Sequence, residues 1–399
     1  MVPKTTASHQ PNQVSNGPSG FKIFFNWYKG AAAILLTTCL LLGLINIALG
    51  RILRPKLGPG TIAQYGWQPV LAAYPGWTKQ EITVLLSGFY FDGAIEYEPF
   101  TQFRERPRRT KYVSVDPAGF RIVKNQGPWP PSPAYTNIFV FGGSTTFGYG
   151  VANEETIPSW LQELAPVGRN RKPVRVYNFG RGYYFSAQEA TLFQRLLVSG
   201  RVPDVAIFID GINDFYYSSG NPEYTGTLTK FLLGEQSPDF LAKLPINRAA
   251  LFVQKRIFKA PRTPSPDGQT LEANERLINS VVERWYLHRR ITEAVAASFG
   301  VRTVFVWQPA PTYKYDLQYH AFYSGDFSAF RAHKLSRAGY AYIDQLRRNR
   351  QMGDDFLWLS DIQETRTENL YVDLLHYRPD FSREIARCID EFIEDRGWL

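Results

Sequence analysis

Three regimes of hydrophobic and polar residues follow one another along the chain. Residues 31–50 read AAAILLTTCLLLGLINIALG, twenty positions without a charge. At about 1.5 Å per helical residue such a run spans about 30 Å, the thickness of a bilayer's hydrocarbon core. A secretory signal has a shorter apolar region and a small-x-small cleavage site, which the closing Ile47-Ala48-Leu49-Gly50 does not match. Trp27, Tyr28 and Lys29 stand at one mouth, Arg51 and Arg54 at the other, as aromatic and basic residues do at membrane interfaces. The pattern predicts one uncleaved transmembrane anchor over 31–50, after a flexible polar tail over 1–30. A buried core helix fits these flanks less well. Lys4, Lys22 and Lys29 before the run balance Arg51, Arg54 and Lys56 after it, so charge leaves the orientation open.

Residues 51–135 show little periodicity and are rich in Gly, Pro, Tyr and Arg; they read as an N-terminal extension or linker. From 136 to 399 short apolar runs bounded by Gly or Pro alternate with longer helical stretches, the pattern of a parallel sheet covered by helices. Strands are predicted at 137–142, 174–178, 204–209, 301–307 and 356–359. Helices are predicted from about 157, then at 186–198, 271–299, 328–350 and 384–396. Aromatic-rich intervals at 215–270 and 311–326 follow strand ends, where open α/β sheets bind ligands.

Composition narrows the class. With 44% hydrophobic and 20% charged residues among 399, the chain can bury a core, which excludes wholesale disorder. A mean hydropathy of −0.27 leaves room for one span and excludes a multispanning protein. The net charge of +9 is spread along the chain and reads mainly as solubility. A basic run, Arg104 to Lys111, reads as a solvated loop, with lipid head groups as the alternative partner. No nucleic-acid-reading motif is present. Cys39 and Cys388 form neither a disulfide framework nor a metal cluster.

Reactive side chains in such a sheet belong in the loops after the strands. After the first comes Phe141-Gly-Gly-Ser144-Thr-Thr-Phe-Gly148, a turn that could present the Ser144 hydroxyl or be purely structural. It is neither a Gly-x-Ser-x-Gly elbow nor a P-loop. After the third comes Gly211-Ile-Asn213-Asp214, an oxyanion donor or an ordinary turn. A serine nucleophile needs a base, and the chain has five histidines. His9 precedes the anchor. His288 and His333 read as solvated helix faces, and His320 is a weak candidate in an aromatic loop. His376 follows Asp373 by three residues, so the carboxylate can orient the imidazole within one turn.

Together these segments resemble the SGNH hydrolase (GDSL-type esterase and lipase) superfamily over about residues 135–398. Gly142-Gly143-Ser144 is similar to its first block, with Gly143 where the family has Asp. Gly211, Asn213 and Asp214 match its third, Asp373 and His376 its fifth, and Asn178 to Ser186 corresponds to its second. Gly119-Phe-Arg121 resembles a segment of members with N-terminal extensions. The resemblance implies a three-layer, flavodoxin-like α/β fold and a triad of Ser144, His376 and Asp373. It also implies an oxyanion hole of Ser144, Gly182 and Asn213, with Tyr183 competing for the second position. It implies no metal or nucleotide cofactor. The expected function is a membrane-anchored esterase acting on a carbohydrate or lipid ester, its catalytic part extracytoplasmic. An O-acyltransferase for a surface polysaccharide and a catalytically silent membrane subunit are the alternatives.

Overall fold

The computed structural model describes residues 20–52, 60–89, 94–168, 171–233, 246 and 271–398. The chain divides into two units, Met1–Pro55 with Gln236–Arg262, and Lys56–Glu235 with Thr263–Leu399.

In the first unit the described element is essentially one helix, α1 (Gly20–Ile52). Its stretch Trp27–Leu49 has a mean hydropathy of 2.4 and is long and apolar enough to cross a membrane. Two of its polar side chains bond back to the helix backbone, which leaves fewer unsatisfied groups for an apolar surround. The Thr37 hydroxyl donates to the Ala33 carbonyl (2.7 Å), and the Asn46 amide to that of Leu42 (2.9 Å). The helix starts at Gly20, so residues 20–30, expected as flexible tail, are helical. Residues 1–19 and most of the 234–270 interval lie outside the described residues.

The second unit opens with α2 (Gly60–Tyr65), α3 (Trp67–Ala73) and α4 (Lys79–Ser87). A capping box starts α4: the Glu81 N–H donates to Thr78 Oγ1 (3.2 Å) and the Thr78 N–H to the Glu81 carboxylate (3.0 Å). Two antiparallel ladders follow, β1 (Ile95–Glu98) with β2 (Gln102–Glu105), and β3 (Arg108–Arg109) with β4 (Ser114–Val115). The basic run is strand in part rather than all loop: Arg104 pairs across the first ladder with Glu96 at 2.8 Å, while Arg106, Arg109 and Lys111 are exposed as expected.

The sheet itself comprises β5 (Thr136–Gly142), β6 (Val174–Asn178), β7 (Val205–Asp210), β8 (Arg302–Trp307) and β9 (Phe356–Trp358). All pair in parallel, in the order β6-β5-β7-β8-β9. Counted along the chain this is 2-1-3-4-5, the flavodoxin-like winding, whose switch point lies between the first and third strands. The intervening helices are α5 (Ser144–Phe147), α6 (Ile157–Leu164), α7 (Ser186–Val198), α8 (Ile212–Tyr216), α9 (Thr225–Leu232), α10 (Leu271–Ser298), α11 (Leu335–Arg348) and α12 (Pro379–Asp395). Two helices start elsewhere than expected. Pro379 at the first turn of α12 sets its entry, ahead of Glu384. Residues Phe327–Lys334 form a 3-10 stretch broken at Arg331, so α11 begins only at Leu335.

Alternate residues of each strand reach opposite faces, and the two faces differ in chemistry. Phe139, Phe141, Phe208, Phe305 and Trp307 pack with α7, α10 and α11. Ile138, Val140, Ile207, Val304 and Val306 pack with α6 and with Phe381, Ile385 and Ile389 of α12. On the aromatic side Phe179, Phe141, Phe208 and Phe305 stack in a row, with ring centroids 4.9 to 5.6 Å apart. A third cluster joins α3 and α4 to Phe147, Tyr149 and Val372. Lys56–Glu235 and Thr263–Leu399 thus share one unit with the sheet.

Gly339 on α11 faces the ring of Phe215; an added Cβ would lie 2.1 Å from Phe215 Cε1. In an open helix Gly→Ala stabilises by about 0.5–1 kcal/mol, whereas overpacking costs about 1–3 kcal/mol. Gly339→Ala is expected to lower the urea midpoint of the full chain in detergent. An unchanged or higher midpoint would mean that the ring has room to move.

Candidate active site

The turn after β5 brings Ser144 to the start of α5, with Gly143 in extended conformation ahead of it. A Cβ at Gly143 would lie 2.5 Å from Asn213 Nδ2 and 3.1 Å from the Tyr184 carbonyl oxygen. The missing side chain lets the Asn213 amide close over the turn and donate to the Tyr184 carbonyl at 2.7 Å. Its second N–H is left for another acceptor. Serine and amide therefore arise from the first and third strands, at the switch point.

Arg121 secures the other end of α5. Its side chain is fully buried. Nη1 donates to the carbonyls of Phe147 (2.8 Å) and Gly148 (2.6 Å), Nη2 to that of Val151 (2.6 Å) and Nε to Asn153 Oδ1 (3.2 Å). Carbonyls at a helix C-terminus lack intrahelical partners and favour a cation. Burial, with Arg108 nearby, pushes the guanidinium pKa down to about 9, so it stays charged at neutral pH.

The loop before α12 brings the imidazole to the serine. His376 Nε2 lies 2.8 Å from Ser144 Oγ, and His376 Nδ1 lies 2.6 Å from Asp373 Oδ2. Asp373 Oδ1 accepts the N–H groups of Leu375 (2.8 Å) and His376 (2.9 Å). Burial pushes the Asp373 carboxyl up, but His376 and these hydrogen bonds outweigh it and hold it below the usual range. Tyr149 stacks on the His376 ring at 5.5 Å.

The remaining histidines have other surroundings. His320 Nδ1 accepts the Phe322 N–H (3.2 Å), so the proton resides on Nε2, which donates to the Leu374 carbonyl (3.2 Å). Burial lowers its pKa to about 4, and its ring stacks on Tyr371 at 4.9 Å. It braces the loop that carries Asp373 and His376. His333, expected on a solvated face, lines the cleft instead, its ring 4.4 Å from that of Tyr216; burial pushes it down to about 3. His288 Nδ1 lies 2.9 Å from Ser186 Oγ, half-buried rather than solvated. His9 lies outside the described residues.

The second block is anchored from the extension. The Gly182 N–H donates to buried Glu105 Oε1 at 2.6 Å. That donor is therefore engaged by a carboxylate, which counts against the expected oxyanion role of Gly182. The next residue, Tyr183, has φ +66° and lines the cleft. Among the described residues its N–H has no hydrogen-bond partner. Buried Arg181 bonds Glu98 on β1 and the Tyr184 hydroxyl (2.9 Å).

Ser144, His376 and Asn213 open into a cleft of about 260 Å³, walled by Tyr183, Tyr216 and Arg331 among others. Behind Asn213 lies a buried acidic cluster. Asp210 accepts the Trp285 indole N–H (2.9 Å), and Asp214 accepts the Ser186 hydroxyl (2.6 Å). Burial and mutual repulsion push Asp210 up to about 7; burial pushes Asp214 up to about 6, and burial beside them holds Glu189 well above the usual carboxylate range. Among the described residues no group of His, Cys, Asp or Glu is placed to hold a metal ion.

No family model matches the chain, and no curated protein matches its sequence. Among solved structures it is similar to a protein assigned to the G-D-S-L lipolytic family from Desulfitobacterium hafniense. The two share 13% identity and a TM-score of 0.35 over 64% of this chain and 99% of that one. It is also similar to a protein assigned as an acylhydrolase from Bacteroides fragilis, at 11% identity and TM-score 0.34, over 68% and 91% of the two chains. An acetyl xylan esterase gives 12% identity and TM-score 0.34, over 63% and 97%.

The acidic cluster has a thermodynamic signature. Carboxyls with raised native pKa values bind more protons folded than unfolded between about pH 4 and 7, so their contribution to stability falls as pH rises through that window. Asp210→Asn keeps an acceptor for Trp285 and removes one titrating group. The decline in the unfolding midpoint between these pH values is expected to become shallower. An identical slope would show that Asp210 is ionised throughout.

Proposed function

We propose that the chain is a membrane-anchored serine hydrolase that cleaves a carboxylic ester of a carbohydrate or lipid. The observation that carries this reading is the continuous hydrogen-bonded line from Asp373 through His376 to Ser144, with contacts of 2.6 and 2.8 Å. These are the distances a nucleophile, a base and its orienting carboxylate require.

Ser144 Oγ attacks the ester carbonyl carbon while His376 Nε2 takes its proton, and Asp373 stabilises the imidazolium that forms. The oxyanion is received by the Ser144 N–H, the second amide hydrogen of Asn213 and the Tyr183 N–H, which takes the place expected for Gly182. Collapse of the tetrahedral intermediate expels the alcohol, protonated by His376, and leaves an acyl group on Ser144. Water, deprotonated by the same imidazole, releases the acid and restores the serine. A sugar hydroxyl in the place of water would make the enzyme an O-acyltransferase, a second reading that the tyrosine-lined cleft favours, since tyrosine rings can stack on sugars. Helix α1 anchors the enzyme, and its catalytic part faces the extracytoplasmic side.

A fluorophosphonate probe is expected to label the full chain in detergent, and Ser144→Ala or His376→Ala to abolish labelling. Asn213→Ala is expected to lower kcat for p-nitrophenyl acetate by about 10²–10³. Well-folded protein that neither labels nor hydrolyses would sink the hydrolase reading. A C-terminal reporter active only outside the cytoplasm should be active; a silent but intact fusion would reverse the topology.

A further inference from the structure

Arg331 is the one permanently charged side chain among the described residues lining the cleft with Ser144 and His376. Among the described residues no aspartate or glutamate lines that cleft. The Arg331 side chain is exposed, and among the described residues it makes no hydrogen bond or ion pair. Its backbone stands at φ 50°, ψ −128°, inside the 3-10 stretch Phe327–Lys334. A side-chain-bearing residue rarely adopts that conformation unless its surroundings impose it. Here Phe330, on one side, is buried, and His333, two residues on, packs against Tyr216. The segment is thus pinned on both flanks, with the arginine left at the cleft. The positive charge is felt at the cleft wall, where it disfavours protonation of His333, and on the other side at Tyr65.

A guanidinium beside an ester-cleaving serine, without an internal counter-ion, is a recognition element for an anion. We propose that Arg331 selects esters bearing a negatively charged group, a carboxylate or a sulfate, close to the scissile bond, as on an acylated acidic sugar. Tyr183, Tyr216 and Tyr217 supply flat surfaces for the uncharged part of such a substrate. This inference rests on the serine-hydrolase reading of the same cleft and names its substrate class.

The test compares matched esters on the full chain in detergent: 4-acetoxybenzoate, anionic at neutral pH, and its neutral methyl ester. The wild type should favour the anion in kcat/KM by about tenfold or more, a preference that shrinks with added salt. Arg331→Gln should bring the ratio of the two kcat/KM values close to one, and Arg331→Lys should restore part of it. The monophenyl ester of succinic acid, with its carboxylate on the acyl side, tells which half of the substrate carries the charge; a preference in either half supports the proposal. Equal rates for charged and neutral esters in the wild type, or a proportional loss on both in Arg331→Gln, would overturn it. Calorimetric binding of 4-acetoxybenzoate to Ser144→Ala protein separates the two readings. Binding that Arg331→Gln abolishes, together with a well-folded wild type that hydrolyses neither ester, would sink the hydrolase reading and keep the anion site. Hydrolysis without charge preference would do the reverse.

Discussion

Two side chains 232 positions apart in sequence meet at 2.8 Å, and the rest of the molecule is arranged so that they can. A hydrogen bond of this kind tolerates a few tenths of an ångström, so neither partner can ride on a loosely held loop. The serine is fixed because Arg121 ties the carbonyls at the far end of its short helix. The imidazole is fixed because Asp373 gathers two backbone N–H groups of its own loop while His320 braces that loop from below. Each device is a buried polar group with its hydrogen bonds satisfied, which specifies geometry more sharply than apolar packing does.

The sheet supplies the platform through a division of labour between its faces. Branched aliphatic residues on one side meet α6 and α12, while phenylalanines and tryptophans on the other meet α7, α10 and α11. The large flat rings of the aromatic face form a stacked row that includes Phe141, three residues before Ser144. Asp210 sits at the end of β7 between this aromatic layer and the Asn213 turn, held by Trp285. The protonation of the acidic cluster is thereby coupled to the stability of the Asn213 turn.

Much of this was legible in the chain. Short, largely apolar runs marked the five strands, because a sheet covered on both faces buries most of its side chains. For the same reason the aromatic and aliphatic faces were hidden, since no polar alternation betrays them. Ser144, Asn213, Asp373 and His376 stood out as chemistry-bearing residues at loop positions. The short helices of the extension were missed: α2 and α3 are too brief for a period of 3.6 to emerge. The Thr78–Glu81 capping box and the Pro379 helix start are local signals that the sequence does carry. Which of Gly182 and Tyr183 offers its N–H depends on Glu105, far upstream, and no local pattern reports that. Arg331 and His333 looked like ordinary polar helix residues because the break at Arg331 involves neither glycine nor proline.

The contacts that Glu98, Glu105 and Arg121 make bear on where this protein can be cut. Arg181 is buried against Glu98, and an ion stripped of its buried partner typically destabilises by about 3–5 kcal/mol, a large share of a domain's whole margin. A fragment beginning at β5 would keep Ser144, Asp373 and His376 and still leave Arg181 without its Glu98 partner. The sheet is therefore not a portable cassette: in recombination or in the laboratory, the residues ahead of it, from Lys56 onward, must travel with it.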